Sequence, residues 1–231
     1  MNFVIIGATM GLGYEMVKLL LDEGHKVAAG VVEKEPPQPL LDLNAPPDVL
    51  HVFRADVTKD EQLKDGAESC GKFFGGKADA VCNVAGVLLP GDRVNKIHEI
   101  DMQELRHTFE VNTIGVIAVG KFFYPIIKKG GMLISVTSEG VGVSVCGSWV
   151  PAYSLSKTAA TKASGIFNAS VPDVDFYAVH PGRMNTEMGS TTAQIEPIVA
   201  AEGIYKIMMG KTPVSRDRWY IDYNGEGMDM G

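Results

Sequence analysis

The sequence predicts an α/β protein built on a doubly wound, mostly parallel sheet with helices on both faces. Three observations carry that expectation. Strand-length apolar runs alternate with helix-length periodic segments along the whole chain. A glycine-rich turn joins the first strand to the first helix. The composition, 45% apolar and 21% charged over 231 residues, suits a full-sized core and excludes disordered and fibrous classes. No composition shift or internal repeat divides the chain, so one domain over 1–231 is expected.

Residues 3–6 are a short apolar run that stops at Gly7, the mark of a buried parallel strand. Leu12, Met16, Leu19 and Leu20 set a helical period over 12–23, which Gly24 ends. A second buried strand covers 26–32. Residues 33–48 hold five of the 12 prolines and read as a long, stiff loop. The third strand is 49–55, a helix follows over 59–70, and the fourth strand is 78–83. One long helix is expected over 101–127, although Gly115 and Gly120 weaken its middle. Strand five is 132–136, a helix covers 153–168, and strand six is 174–179. A helix over 197–209 and a short strand at 219–222 complete the alternation. Three loops, at about 84–98, 137–151 and 183–196, leave the carboxyl ends of strands, where open α/β sheets bind their ligands.

The net charge of −7 argues against nonspecific nucleic-acid binding, which needs a basic footprint. No run of about 18 apolar residues exists, so no membrane span is expected. The first residues lead straight into a strand and not into a signal peptide. Cys70, Cys82 and Cys146 form no CxxC pair and read as reduced thiols of a cytoplasmic protein. The five histidines show no zinc spacing, and no metal is expected. Asn168-Ala169-Ser170 fits a glycosylation pattern that has no use without a secretory route.

The turn after the first strand is Gly7-Ala8-Thr9-Met10-Gly11-Leu12-Gly13. Gly7 turns the chain sharply, Gly11 admits a pyrophosphate close to the backbone, and Gly13 lets helix and sheet pack closely. The helix that opens there offers unpaired N–H groups and a positive dipole end. The context of strand, turn and helix points to dinucleotide binding.

This spacing resembles the short-chain dehydrogenase/reductase family, and further stretches carry the same resemblance in order. Asp56, with Val57 beside it, follows strand three, where the family places an Asp near the adenine ring. Cys82-Asn83-Val84-Ala85-Gly86 is similar to the family's Asn-Asn-Ala-Gly, with Cys82 replacing the first Asn. Asn112 matches the Asn of the long helix, and Tyr153-Ser154-Leu155-Ser156-Lys157 matches Tyr-x-x-x-Lys. Pro181-Gly182, then Met184 and Thr186, match the segment on the nicotinamide side. The resemblance implies a Rossmann-type fold and a cofactor held by Gly7, Thr9, Met10, Gly11, Leu12, Gly13, Val31, Asp56, Val57, Asn83, Ala85, Gly86, Tyr153, Lys157, Pro181, Gly182, Met184 and Thr186. The stretch 180–189 and the ending 221–226 resemble a subgroup of carbonyl reductases related to C-factor and sniffer proteins.

Tyr153 and Lys157 stand four apart on one helix face. An ammonium beside a phenol favours the phenolate, which would let Tyr153 work as an acid or base nearer neutral pH. Without the other matches, the pair is an exposed helix contact worth a few tenths of a kcal/mol. The family's Ser normally stands 13 residues before the Tyr, where this chain has Gly140. Ser138 is taken as its equivalent, with two inserted residues in the loop; Ser148 is the alternative, and Ser135 is read as structural. The resemblance implies that Ser138, Tyr153, Lys157 and Asn112 are the catalytic set. Ser138 and Tyr153 bind the substrate oxygen, and Lys157, a water and Asn112 relay the proton.

The cofactor is expected to be NADP or NAD. Val31 occupies the position where NAD-specific members carry an Asp, and it cannot bind a ribose diol. Glu33 disfavours a 2′-phosphate and Lys34 favours one; the subgroup resemblance tips the expectation to NADP. Val87, Leu88, Leu89, Val141, Val143, Val145, Trp149 and Met184 suggest a neutral hydrophobic carbonyl or alcohol, some of them being ordinary core. Arg93 and Arg183 are single basic contacts there. No Gly-x-Ser-x-Gly occurs, which excludes the usual hydrolase elbow. A cofactor-binding regulatory or scaffold member without turnover, and an epimerase or dehydratase using the same Tyr-Lys pair, remain open. A homodimer or homotetramer is expected from the resemblance.

Overall fold

The computed structural model of the chain describes residues 1–144, 147–189 and 193–231. Seven parallel strands form one sheet in the order β3-β2-β1-β4-β5-β6-β7. The strands are β1 (Asn2–Ile6), β2 (Lys26–Val31), β3 (Leu50–Arg54), β4 (Ala78–Asn83), β5 (Ile127–Val136), β6 (Val174–His180) and β7 (Tyr220–Asp222). The order reverses between β1 and β4. A crevice opens there at the carboxyl ends of the strands, the usual ligand position of a doubly wound sheet.

The apolar runs are continuous because both faces of the sheet are covered. Phe3 and Ile5 point to one core with α1 (Gly11–Asp22) and α7 (Pro197–Met208). Val4 and Ile6 point to the other, shared with α3 (Asp60–Phe74) and α5 (Gly115–Phe123). Phe167 of α6 (Pro151–Ser170) packs against that second core. The Rossmann-type doubly wound fold expected from the sequence is therefore the observed one.

Three local expectations need correction. The proline-rich stretch is not all loop: α2 (Gln38–Leu41) is a short helix, started by Pro39 and pinned by buried Leu40. The long helix is two helices, α4 (Met102–Phe109) and α5, separated by a wide turn at Glu110–Ile114. Strand β5 starts at Ile127, five residues before the expected start, because Pro125 and a tight 3-10 turn end the helical path early. An irregularity opposite Ala78 and Ala80, with Gly130 at φ +74°, absorbs the extra length. Asn168 of the glycosylation pattern is buried and bonded to Arg216 O and Phe176 N, so it is a structural residue.

Candidate active site

The glycine turn sits in the crevice and is shaped by close backbone approach. Gly7 has φ +84°, and a Cβ there would lie 2.7 Å from Ala85 N. A Cβ on Gly13 would lie 2.0 Å from Gly7 O. Gly7 N and Ala8 N both donate to Gly30 O of β2, at 2.9 and 3.0 Å. Gly11 has φ +54°, with the Thr186 methyl on its open side. Met10 starts α1 without a side-chain cap, its own side chain is exposed, and no acid occupies the first turn. An uncapped first turn behind a cradle without side chains fits a pyrophosphate.

The loop after β4 continues that cradle. Asn83 is buried, and its Oδ1 accepts from Ala85 N at 3.2 Å. A Cβ on Gly86 would meet Lys157 Nζ at 3.1 Å and Asn112 Oδ1 at 3.3 Å. One chain of contacts therefore runs from Gly7 through Ala85 and Gly86 to Lys157. Asn112 is 0% exposed inside the wide turn between α4 and α5. Its Oδ1 accepts from Val87 N at 2.8 Å, while Nδ2 donates to Val87 O at 2.9 Å and Ser156 Oγ at 3.0 Å. A widened helical turn is a common means of aiming such a side chain inward.

Lys157 is 3% exposed, and its Nζ donates to Val136 O at 2.9 Å. The same Nζ lies 5.6 Å from the centre of the Tyr153 ring. Ser138 lies two residues past the end of β5, accepts from Gly140 N at 3.3 Å and faces the Tyr153 phenol. Tyr220 holds the Ser138 carbonyl from below, its hydroxyl donating at 2.8 Å. Ser138, Tyr153, Lys157 and Asn112 thus converge on one end of the sheet. Ser148 is exposed and Ser135 buried within its strand.

The protonation of the pair differs from the sequence expectation. Burial pushes the Tyr153 phenol up to about 12, against the opposing pull of the Arg93 charge and the nearby Ser138 hydroxyl. Burial also lowers Lys157 to about 8. The phenol is therefore a neutral donor near pH 7, because the cost of burying a phenolate exceeds the attraction of nearby cations.

Other sequence candidates fall in different places. Val31 is 2% exposed and belongs to the core, so it offers the cofactor no polar group; the carboxylate near the turn is Glu33, which accepts from Thr9 Oγ1 at 2.8 Å. Asp56 Oδ1 accepts from Thr58 N and Oγ1 at 3.0 and 2.7 Å, while buried Val57 packs against Gly115. Val141 is core, packed with Ala178 and Tyr220, and so is removed from the substrate side. Val143 and Trp149 are exposed on the rim; Val145 and Cys146 lie outside the described residues. Pro181 is buried, Gly182 has φ +79°, and Met184 pairs with Ile195 across the last loop. Arg183 is taken up by Glu139 at 2.5 Å, and Arg93 donates to Met188 O. Two positions that contact the candidate set had no sequence signal: Tyr220 behind Ser138, and Asp92, whose partners stand about 60 residues away. Among the described residues, no group of three or more His, Cys, Asp or Glu could hold a metal ion, and no helix is long and apolar enough to cross a membrane.

The short chain dehydrogenase family matches residues 2–196. The chain belongs to that family. It is 33% identical over 190 residues to estradiol 17-beta-dehydrogenase 2 of Rattus norvegicus, covering 80% of this chain but 48% of that protein. The chain thus spans about half the length of this relative. Its fold is similar to a short-chain dehydrogenase/reductase of Burkholderia multivorans with bound NADP (TM-score 0.85, 24% identity, 98% of this chain and 97% of that one). It is equally similar to the carbonyl reductase Sniffer of D. melanogaster (TM-score 0.86, 19% identity, 98% of each chain).

Lys157 also sets a stability prediction. Below pH 8 it is protonated in both states, so the cost of burying its charge is present in full; from 8 to 10.5 only the unfolded chain holds the proton. Across that window the wild-type chain should gain stability relative to Lys157→Met, by up to roughly 3 kcal/mol. Denaturant unfolding of both proteins at each pH measures this, and a difference that stays flat with pH refutes a depressed Lys157.

Proposed function

We propose that this chain is an NAD(P)-dependent oxidoreductase that reduces a neutral, hydrophobic ketone or aldehyde, with Tyr153 as the proton donor. The observation that carries the reading is the placing of Tyr153 beside Ser138 and buried Lys157, which packing joins to the glycine turn. The unit is the whole of 1–231, with substrate loops at 84–98, 137–151 and 183–196.

The glycine turn, Asp56, Val57, Asn83, Ala85, Gly86, Lys157, Pro181, Gly182, Met184 and Thr186 would hold the dinucleotide, which supplies the hydride when bound. Ser138 and Tyr153 both donate toward the substrate oxygen. Charge grows on that oxygen as reduction proceeds, so these bonds strengthen in the transition state. Tyr153 passes its proton to the oxygen, and Lys157 stabilises the phenolate left behind. Asn112 holds the loop at Val87 and the Ser156 hydroxyl, which keeps Lys157 in place from two sides.

The subgroup resemblance favours NADP, and the Burkholderia fold neighbour carries it. The Thr9–Glu33 hydrogen bond weighs the other way. It draws a carboxylate over the glycine turn at the end of β2, where it repels a 2′-phosphate and accepts from ribose hydroxyls. Lys34 is exposed and has no such tie to the turn. NAD(H) is therefore the proposed cofactor. The exposed Ile114, Ile117, Leu155 and Ile166 on α5, α6 and the turn between α4 and α5 support pairing of two copies.

Three outcomes test these assignments. Tyr153→Phe should keep dinucleotide binding, measured by calorimetry, and lose turnover across a carbonyl panel; normal turnover excludes Tyr153 as the acid. Ser138→Ala should slow turnover by about 100-fold or more, and an unchanged rate assigns the role to another hydroxyl. Glu33→Gln should shift the kcat/KM ratio for NADPH over NADH upward by about tenfold or more; a constant ratio removes Glu33 from cofactor choice.

A further inference from the structure

We propose that Asp92 is a positioning residue for Tyr153: its carboxylate grips the first turn of α6 and aims the phenol. The inference rests on the oxidoreductase reading above. Asp92 lies in the tight turn Pro90–Arg93 after β4 and is 4% exposed. Its Oδ1 accepts from Ala152 N and its Oδ2 from Tyr153 N, both at 2.8 Å. One carboxylate thus takes two successive amides of the helix that carries Tyr153 and Lys157.

The start of α6 needs such a partner. Its first residue, Pro151, has no N–H, and the preceding Val150 offers no side-chain cap. Val150 also sits at φ +44°, ψ 57°, a left-handed conformation that a β-branched residue adopts only under constraint. The first bond within the helix is Ser154 N to Val150 O. Between Pro151 and Ser154 the two free donors are Ala152 and Tyr153, and Asp92 accepts both. Charge-assisted bonds to helix N-terminal amides are among the stronger protein hydrogen bonds.

Two contact points fix more than one does. A single acceptor caps a helix but leaves it free to roll; two oxygens on adjacent amides set both its position and its rotation. One of these amides belongs to Tyr153 itself, so a shift at Asp92 reaches the phenol through that residue's own backbone. The neighbouring contacts pull in the same direction. Arg93 donates to Met188 O of the last loop, and Ser154 Oγ donates to Gly140 O in the Ser138 loop at 2.7 Å. Asp92 therefore couples the loop after β4 to the phenol and to both other substrate loops. Misplacing a catalytic group by about 1 Å can cost roughly 100-fold in rate.

The test uses the full chain and three variants. Hydrogen exchange on wild type should show protected amides at Ala152 and Tyr153. In Asp92→Ala, exchange at these two should rise at least tenfold while amides in the second half of α6 stay unchanged. With a carbonyl that the wild type turns over, Asp92→Ala should lower kcat at least tenfold with dinucleotide affinity within twofold. Asp92→Asn, which keeps one acceptor, should fall between the two. Asp101→Ala is the control: Asp101 accepts from Gln103 N and Glu104 N at the start of α4, so it removes a comparable cap at another helix. It should leave kcat unchanged. An unchanged kcat in Asp92→Ala, or an equal fall in Asp101→Ala, overturns the proposal. If wild type turns over nothing while the two amides behave as expected, the oxidoreductase reading fails and Asp92 is a purely structural cap.

Discussion

Close backbone packing between the glycine turn and the loop after β4 is the contact on which the site depends. Gly7 and Ala85 approach so nearly that any side chain at residue 7 would collide with the Ala85 amide. The same absence of side chain at Gly86 lets Lys157 and Asn112 lie against the loop. These two glycines make one wall from β1, β4, the wide turn between α4 and α5, and α6, which are distant along the chain. A cofactor cradle and a Tyr-Lys pair could each exist alone. Only this contact brings them to one crevice, at the strand-order reversal between β1 and β4.

The second constraint is electrostatic. The site buries a phenol, an amine and an aspartate within a few residues of one helix start. Each has a different solution to the cost of losing water. Tyr153 stays neutral, Lys157 is held with a depressed pKa against a carbonyl, and Asp92 takes two amides. A neutral phenol matches the reduction direction, in which a proton must be delivered to an oxygen that is gaining charge. The sequence argument about ammonium and phenol expects a phenol shifted toward neutral pH; burial shifts it the other way, and spacing carries no information about burial.

Much of the sheet was legible because parallel strands buried on both faces must be apolar throughout, and glycine must stand where backbones meet. Strand β4 was read to the residue, since Ala78 and Asn83 are bounded by sharp changes of pattern. The broken α4–α5 helix was not, because a widened turn keeps the apolar period and only Gly115 hints at it. Val31 and Val141 looked like site residues by position, but their direction from the backbone put both into the core. Glu33 was visible as a charge after strand two; its bond to Thr9 was not, as it needs the fold of the proline-rich stretch.

By itself, the sequence determined which residues had to be glycine or apolar, and so the order of strands and helices and the presence of a dinucleotide turn. It also marked Tyr153 and Lys157 as one helix face, since that follows from the pitch of a helix alone. The tertiary structure decided everything that joins distant segments: the contact of Asp92 with α6, the Tyr220 support of Ser138, and the protonation of the buried pair. These depend on distances between residues tens of positions apart and on how much water reaches them. Local pattern encodes neither.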